Sequence, residues 1–189
     1  MSAINNYSTQ NEDIMYKLQK FYKDESMLSR MLKIITGEDA ISLRIVDWFV
    51  TNYAKKNYTL YTIQNSNGEN IRFKVYLDYK LKLKGYSKKR FDPFCRWDRI
   101  SIPYKEGTFI ETTIGQLNFF KWALENKIID YIEENYDVIE KDMNSRNSTS
   151  KRKDSLTDNT KTRKKREELS ISATKSIKKE DVEIVLKFH

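Results

Sequence analysis

The chain has 189 residues, 39% hydrophobic and 13% aromatic, and its 35 Lys+Arg against 27 Asp+Glu give a formal net charge of +8. That length suits one ordinary core with appendages, and the apolar content excludes wholesale disorder. A single cysteine, Cys95, excludes an internal disulfide, and no apolar stretch approaches the roughly 20 residues that a membrane span requires.

Residues 1–10 are polar and carry no period, so disorder is expected there, and they lack the charged-then-apolar order of a signal peptide. With the lone cysteine this points to a reducing, intracellular setting. From Asn11 the spacing turns helical. Ile14, Leu18, Phe21 and Tyr22 share one face, and a second run of Met27, Leu28, Met31, Leu32 and Ile35 stops at Thr36-Gly37, a C-terminal cap. A third helix starts after Asp39 or Ser42 as N-cap, buries Leu43, Val46, Phe49, Val50 and Tyr53, and closes on Lys55-Lys56.

The period then becomes alternating. Tyr58, Leu60 and Thr62 lead into Asn65 to Asn70, where Asn67-Gly68 suits a hairpin loop. Beyond it, Ile71, Phe73, Val75, Leu77, Tyr79, Leu81 and Leu83 alternate with Arg72, Lys74, Tyr76, Asp78, Lys80, Lys82 and Lys84, which reads as one long half-buried strand ended by Gly85. Residues 88–97 read as an irregular loop fixed by Pro93. Arg99 to Pro103 and Thr108 to Thr112 form a second hairpin, and Thr113-Ile114-Gly115-Gln116 matches a capping box. A long helix follows with Leu117, Phe120, Leu124, Ile128, Tyr131, Ile132 and Ile139 inward and a break near Asn126. After Met143 apolar residues nearly vanish, so residues 144–180 are expected to be a disordered basic segment. Val182, Ile184, Leu186 and Phe188 then alternate, and a terminal strand within 181–189 can return to the sheet. The fold class is α+β: N-terminal helices, a mainly antiparallel sheet and a long C-terminal helix, with one domain over 11–143.

The charge is concentrated in two blocks. Residues 72–99 hold ten Lys/Arg against three Asp, and residues 144–180 hold twelve Lys/Arg against five Asp/Glu. In the first block Arg72, Lys74, Lys80, Lys82, Lys84, Lys88, Lys89 and Arg90 are candidate phosphate contacts, with Tyr76, Tyr86, Phe91 and Trp97 near enough in sequence to stack on bases. The same strand face is equally readable as a solvated outer surface. In the second block, Lys151-Arg152 and Arg163-Lys164-Lys165-Arg166 are ten residues apart, the form of a bipartite nuclear-import signal, of a generic polyanion patch, or of an inert linker.

Catalytic signatures are scarce. The single histidine, His189, is the last residue, clustered Cys/His ligands are absent, and no phosphate-binding loop, dinucleotide fingerprint or common hydrolase motif occurs. No metal or cofactor is expected. The stretch Phe91 to Arg99, with Asp92, Arg96 and Asp98, fits either a carboxylate site or a loop whose aromatics plug the core. Cys95 reads as a small buried hydrophobe, since no histidine is near to activate it.

Ile41 to Tyr53, Phe91 to Arg96 and Thr113 to Ala123 together resemble a group of uncharacterised proteins of nucleocytoplasmic large DNA viruses, mimivirus-like giants among them. The Asn-, Lys-, Ile- and Tyr-rich composition fits such a genome. The group has no established activity, so the resemblance implies a viral setting, in the host cytoplasm or nucleus or in the virion, and nothing about mechanism. The leading expectation is a non-enzymatic nucleic-acid-associated protein, with DNA or RNA and viral proteins as partners and no membrane. The alternative is a structural or assembly component acting through protein contacts; a carboxylate-dependent enzyme is a third.

Overall fold

The computed structural model describes residues 3–64, 67–96, 99–104, 108–156 and 179–181, with backbone alone for 3–10, 103–104, 108, 147–156 and 179–181. Helices α1 (Ala3–Tyr22) and α2 (Glu25–Thr36) come first, then α3 (Leu43–Trp48), which passes through a π-helical segment Phe49–Tyr53 into the short α4 (Ala54–Lys56). A hairpin of β1 (Leu60–Gln64) and β2 (Asn70–Lys74) leads directly into α5 (Val75–Tyr86) and α6 (Lys88–Phe91). A second hairpin, β3 (Arg99–Tyr104) and β4 (Thr108–Thr113), runs into α7 (Ile114–Glu125), α8 (Ile128–Glu134) and α9 (Tyr136–Leu156), and β5 (Lys179–Asp181) completes the order.

Local chemistry sets most of these boundaries. Ser42 Oγ accepts from Ile45 N at 3.3 Å and Thr113 Oγ1 from Gln116 N at 3.1 Å, each satisfying a helix-start amide that has no partner in its own helix. Gly37, at φ 77°, closes α2 in the left-handed region. The capping box at Thr113 is only half made. Gln116 Oε1 accepts from Thr112 Oγ1 and its Nε2 donates to Pro93 O, so the side chain ties α7 to the loop before β3.

The architecture is α+β, and its antiparallel strands fall into two small sheets, β1-β2 and β3-β4-β5. Helix α7 is the centre of the core: from Ile114 to Leu124 every residue but Lys121 is buried. A helix apolar on all sides must be covered on all sides, and α1, α6, α8 and β4 all contact it. Gly115 lets α6 approach, because a Cβ there would lie 2.9 Å from Lys89 O and 3.0 Å from Asp92 O. Phe91, Phe119 and Trp122 pack with ring centroids 5.5–5.8 Å apart, and Tyr79 joins them from α5.

The long strand expected over 71–83 is corrected. It pairs with β1 only through Lys74 and then coils into α5. Val75 and Tyr79 are buried and Leu83 and Tyr86 pack on the core, whereas Leu77 and Leu81 are exposed. The reason is geometric. β1 begins at Leu60, so nothing remains to pair with residues beyond 74, and Leu and Lys are good helix formers. A spacing of four belongs to both periods, so positions 75, 79 and 83 fit a strand face and a helix face alike.

Other boundaries also differ from expectation. Helix α1 extends back to Ala3, through residues expected to be disordered, and α9 runs to Leu156, into the segment expected to be disordered from 144. The long helix breaks at Asn126-Lys127 as expected and again at Asn135. A short strand β5 pairs Lys179 and Asp181 with Ile110 and Thr108, mostly inside the segment expected to be disordered; the alternating residues Val182, Ile184, Leu186 and Phe188 expected to form a terminal strand lie outside the described residues.

Candidate nucleic-acid interface

Where α4 meets β1, the chain turns through Tyr58 with φ 48°, a conformation non-glycine residues rarely adopt. Thr59 N donates to Ala54 O at 3.1 Å and Val75 N to Thr59 O at 3.3 Å, which holds this turn against the first residue of α5. Between the turn and α5 lies an open groove of about 470 Å³, lined by Ala54, Lys55, Tyr58, Thr59, Leu60, Lys74, Tyr76 and Leu77. Tyr58 is 86% exposed, Leu60 51% and Leu77 53%, so large apolar groups face water.

Among the described residues, the lining contains no carboxylate. Lys55 Nζ and Lys80 Nζ each stand 5.6 Å from the centroid of the Tyr76 ring, a cation–π distance. Among the described residues, none of Lys55, Lys74, Lys80 and Lys84 has an acidic partner in salt-bridge range. Asp78 is the acid of α5, and its Oδ1 accepts from Trp122 Nε1 at 2.6 Å. The helix therefore turns its carboxylate inward and leaves its lysines outside.

The candidates named from sequence disperse. Arg72 and Lys74 lie exposed on β2, Lys80 and Lys84 are exposed on α5, Lys82 is half-buried, and Lys88 and Lys89 are exposed on α6. Arg90 is corrected from phosphate contact to internal brace: it is 8% exposed, its Nε donates to Asn11 Oδ1 at 2.7 Å, and its carbonyl accepts from Asn118 Nδ2. Lys151 and Arg152 lie on α9, and Arg163, Lys164, Lys165 and Arg166 lie outside the described residues. Tyr86 and Phe91 stack on each other at the core instead of facing a ligand, and Trp97 lies outside the described residues. Lys55, Tyr58, Leu60 and Leu77 were missed. The clue was Lys55-Lys56-Asn57-Tyr58 at a helix end, a basic run meeting an aromatic where the chain must turn.

Elsewhere the acidic groups divide. Asp92 Oδ1 accepts from Phe94 N at 2.9 Å and holds the loop. Burial, and then the charge of Asp92, push the Asp47 carboxyl up to about 7, and burial followed by these two acids raises the Tyr79 phenol. Among the described residues, no group of three or more His, Cys, Asp or Glu is placed to hold a metal ion, and no helix is long and apolar enough to cross a membrane.

The model of a family of unknown function, DUF7197, matches residues 1–189. The chain belongs to that family. It is 45% identical over 163 residues to the uncharacterized protein L507 of Acanthamoeba polyphaga mimivirus, an alignment covering 79% of this chain and 62% of that protein. The chain thus spans less than two thirds of its relative's length, and the resemblance to uncharacterised proteins of large DNA viruses holds. No solved structure matches it.

Proposed function

We propose that this DUF7197 chain is a non-enzymatic nucleic-acid-associated protein of a large DNA virus, serving genome handling, packaging or gene expression in the infected cell. One observation carries the reading. Among the described residues, Lys55 and Lys74 line an open groove with exposed aromatic and aliphatic side chains and no carboxylate, Lys80 stands beside its Tyr76 ring and Lys84 lies exposed further along α5, and none of the four has an acidic partner. Cations left unneutralised beside aromatic faces are what a phosphate backbone with bases requires. The basic block at 144–180 adds a second contact on the same chain and raises the local concentration of the polyanion.

A salt titration of nucleic-acid binding tests this. Affinity should fall with a log–log slope of about −0.7 to −0.9 per phosphate neutralised, and Lys74→Ala with Lys80→Ala and Lys84→Ala should flatten it by about two to three. Absence of binding by the full chain at low salt defeats the proposal. The second reading, a virion or replication-compartment assembly protein, draws on Leu81, 60% exposed on the outer side of α5. Salt-tolerant self-association without nucleic-acid affinity would favour it.

A further inference from the structure

Resting on that reading, we infer that the groove between the α4–β1 turn and α5 receives unpaired bases, so that the substrate class is single-stranded nucleic acid. A duplex keeps its bases stacked on one another and presents phosphates and base edges. It would neutralise Lys55, Lys74 and Lys80 but leave Tyr58, Leu60 and Leu77 facing water. An unpaired base offers a flat apolar face, which covers such surface and stacks on an aromatic ring.

Two further observations point the same way. Tyr58 holds a left-handed backbone, φ 48°, that Asn or Gly would adopt with less strain, yet its ring is 86% exposed and gains little packing in return. A strained aromatic that the core does not use is explained by what it meets at the rim of the groove. Thr59, only 8% exposed, lines the same groove, and among the described residues its hydroxyl has no hydrogen-bond partner. A nearly buried hydroxyl without a partner suits a polar group arriving with the ligand, such as a base edge. Tyr76 meanwhile keeps the Lys55 and Lys80 ammoniums beside an aromatic face, where a phosphate flanking the stacked base would lie.

The test is fluorescence anisotropy of the full chain with three labelled polymers of equal length: a thymidine single strand, the corresponding duplex, and an abasic single strand. Polyglutamate serves as a competitor without bases. The variant is Tyr58→Asn, which removes the ring and tolerates the backbone angle, with a thermal melt to show that it folds. The thymidine strand should bind more tightly than the abasic strand and the duplex, and Tyr58→Asn should weaken the thymidine strand about tenfold while leaving the other two and the salt slope unchanged. Equal binding of base-bearing and abasic strands, no effect of Tyr58→Asn, or equal displacement by polyglutamate would overturn the base pocket while leaving general polyanion binding intact. Failure to bind any of the polymers would overturn both.

Discussion

The α8–α9 side of the molecule and the β2–α5 side handle charge in opposite ways. On the first, Arg30 Nη2 contacts Asp130 Oδ1 at 2.5 Å and Glu133 Oε1 at 2.7 Å, and Asp142 receives Lys56 Nζ at 3.0 Å and Trp48 Nε1 at 3.2 Å with Arg146 nearby. Burial works against the Asp142 charge, but the Lys56 and Trp48 hydrogen bonds outweigh it and hold the carboxyl below the ordinary range. On the second side, among the described residues, the lysines of α5 have no acid in salt-bridge range, and Asp47 is half-buried beside another acid, Asp92. Matched charges secure a fold, whereas mismatched ones are retained at a cost, and the proposed function reads them as contacts for a ligand.

The sharpest way to test the division is across α5 itself. Val75 is fully buried and Leu77 is 53% exposed, two residues apart. Val75→Asp should destabilise the domain by about 3–5 kcal/mol, because an unpaired charge enters the core, while Leu77→Asp should stay within roughly 1 kcal/mol. Urea melts of both variants measure this. Equal losses would restore a strand with both residues inward and remove the outer face on which the binding reading depends.

Next in size is the acid without a cation. The folded-state pKa of Asp47 is raised to about 7 by burial and then by Asp92, above the unfolded value near 4. Between these values the folded chain holds a proton that the unfolded chain has released, so stability falls as pH rises through this window and is level above it. Asp47→Asn should therefore melt higher than the parent at pH 8, by on the order of 1–2 kcal/mol because the side chain is half-buried and not sealed, and the difference should close near pH 4. A gap independent of pH would mean that Asp47 has a counterion after all, and the contrast with Asp142 would go.

Much of this molecule was readable because it is local. Ser42, Thr113 and Gly37 act within three or four residues of themselves, and both hairpins show their turn and their alternation in one stretch. Illegible features depended on distance. Arg90 looks like one more surface cation until Asn11, 79 positions earlier, takes its guanidinium. The groove is assembled from residues 54–60 and 74–77, which meet only because Leu60 pairs with Lys74 in the hairpin register. The helix at 75–86 was hidden by a pattern that serves both periods, and what decided it, the lack of a partner strand, is a property of β1.

The smallest effect probes the paired and unpaired cations directly. Arg30 is about a third exposed and joins α2 to α8 through two carboxylates, so Arg30→Ala should cost about 0.5–1 kcal/mol in low salt and less as salt rises. Lys84, exposed on α5 without an acid, should be replaceable by Ala within about 0.5 kcal/mol, with no salt dependence beyond that of the parent. A double-mutant cycle of Arg30→Ala with Glu133→Gln isolates the pair, and a coupling near zero would mean that the α8 surface is no better matched than α5. A cost for Lys84→Ala as large as that for Arg30→Ala, and equally screened by salt, would show that α5 spends its lysines on the fold. Those cations would then no longer be free for a phosphate backbone, and the nucleic-acid reading would have to rest on the basic block at 144–180 alone.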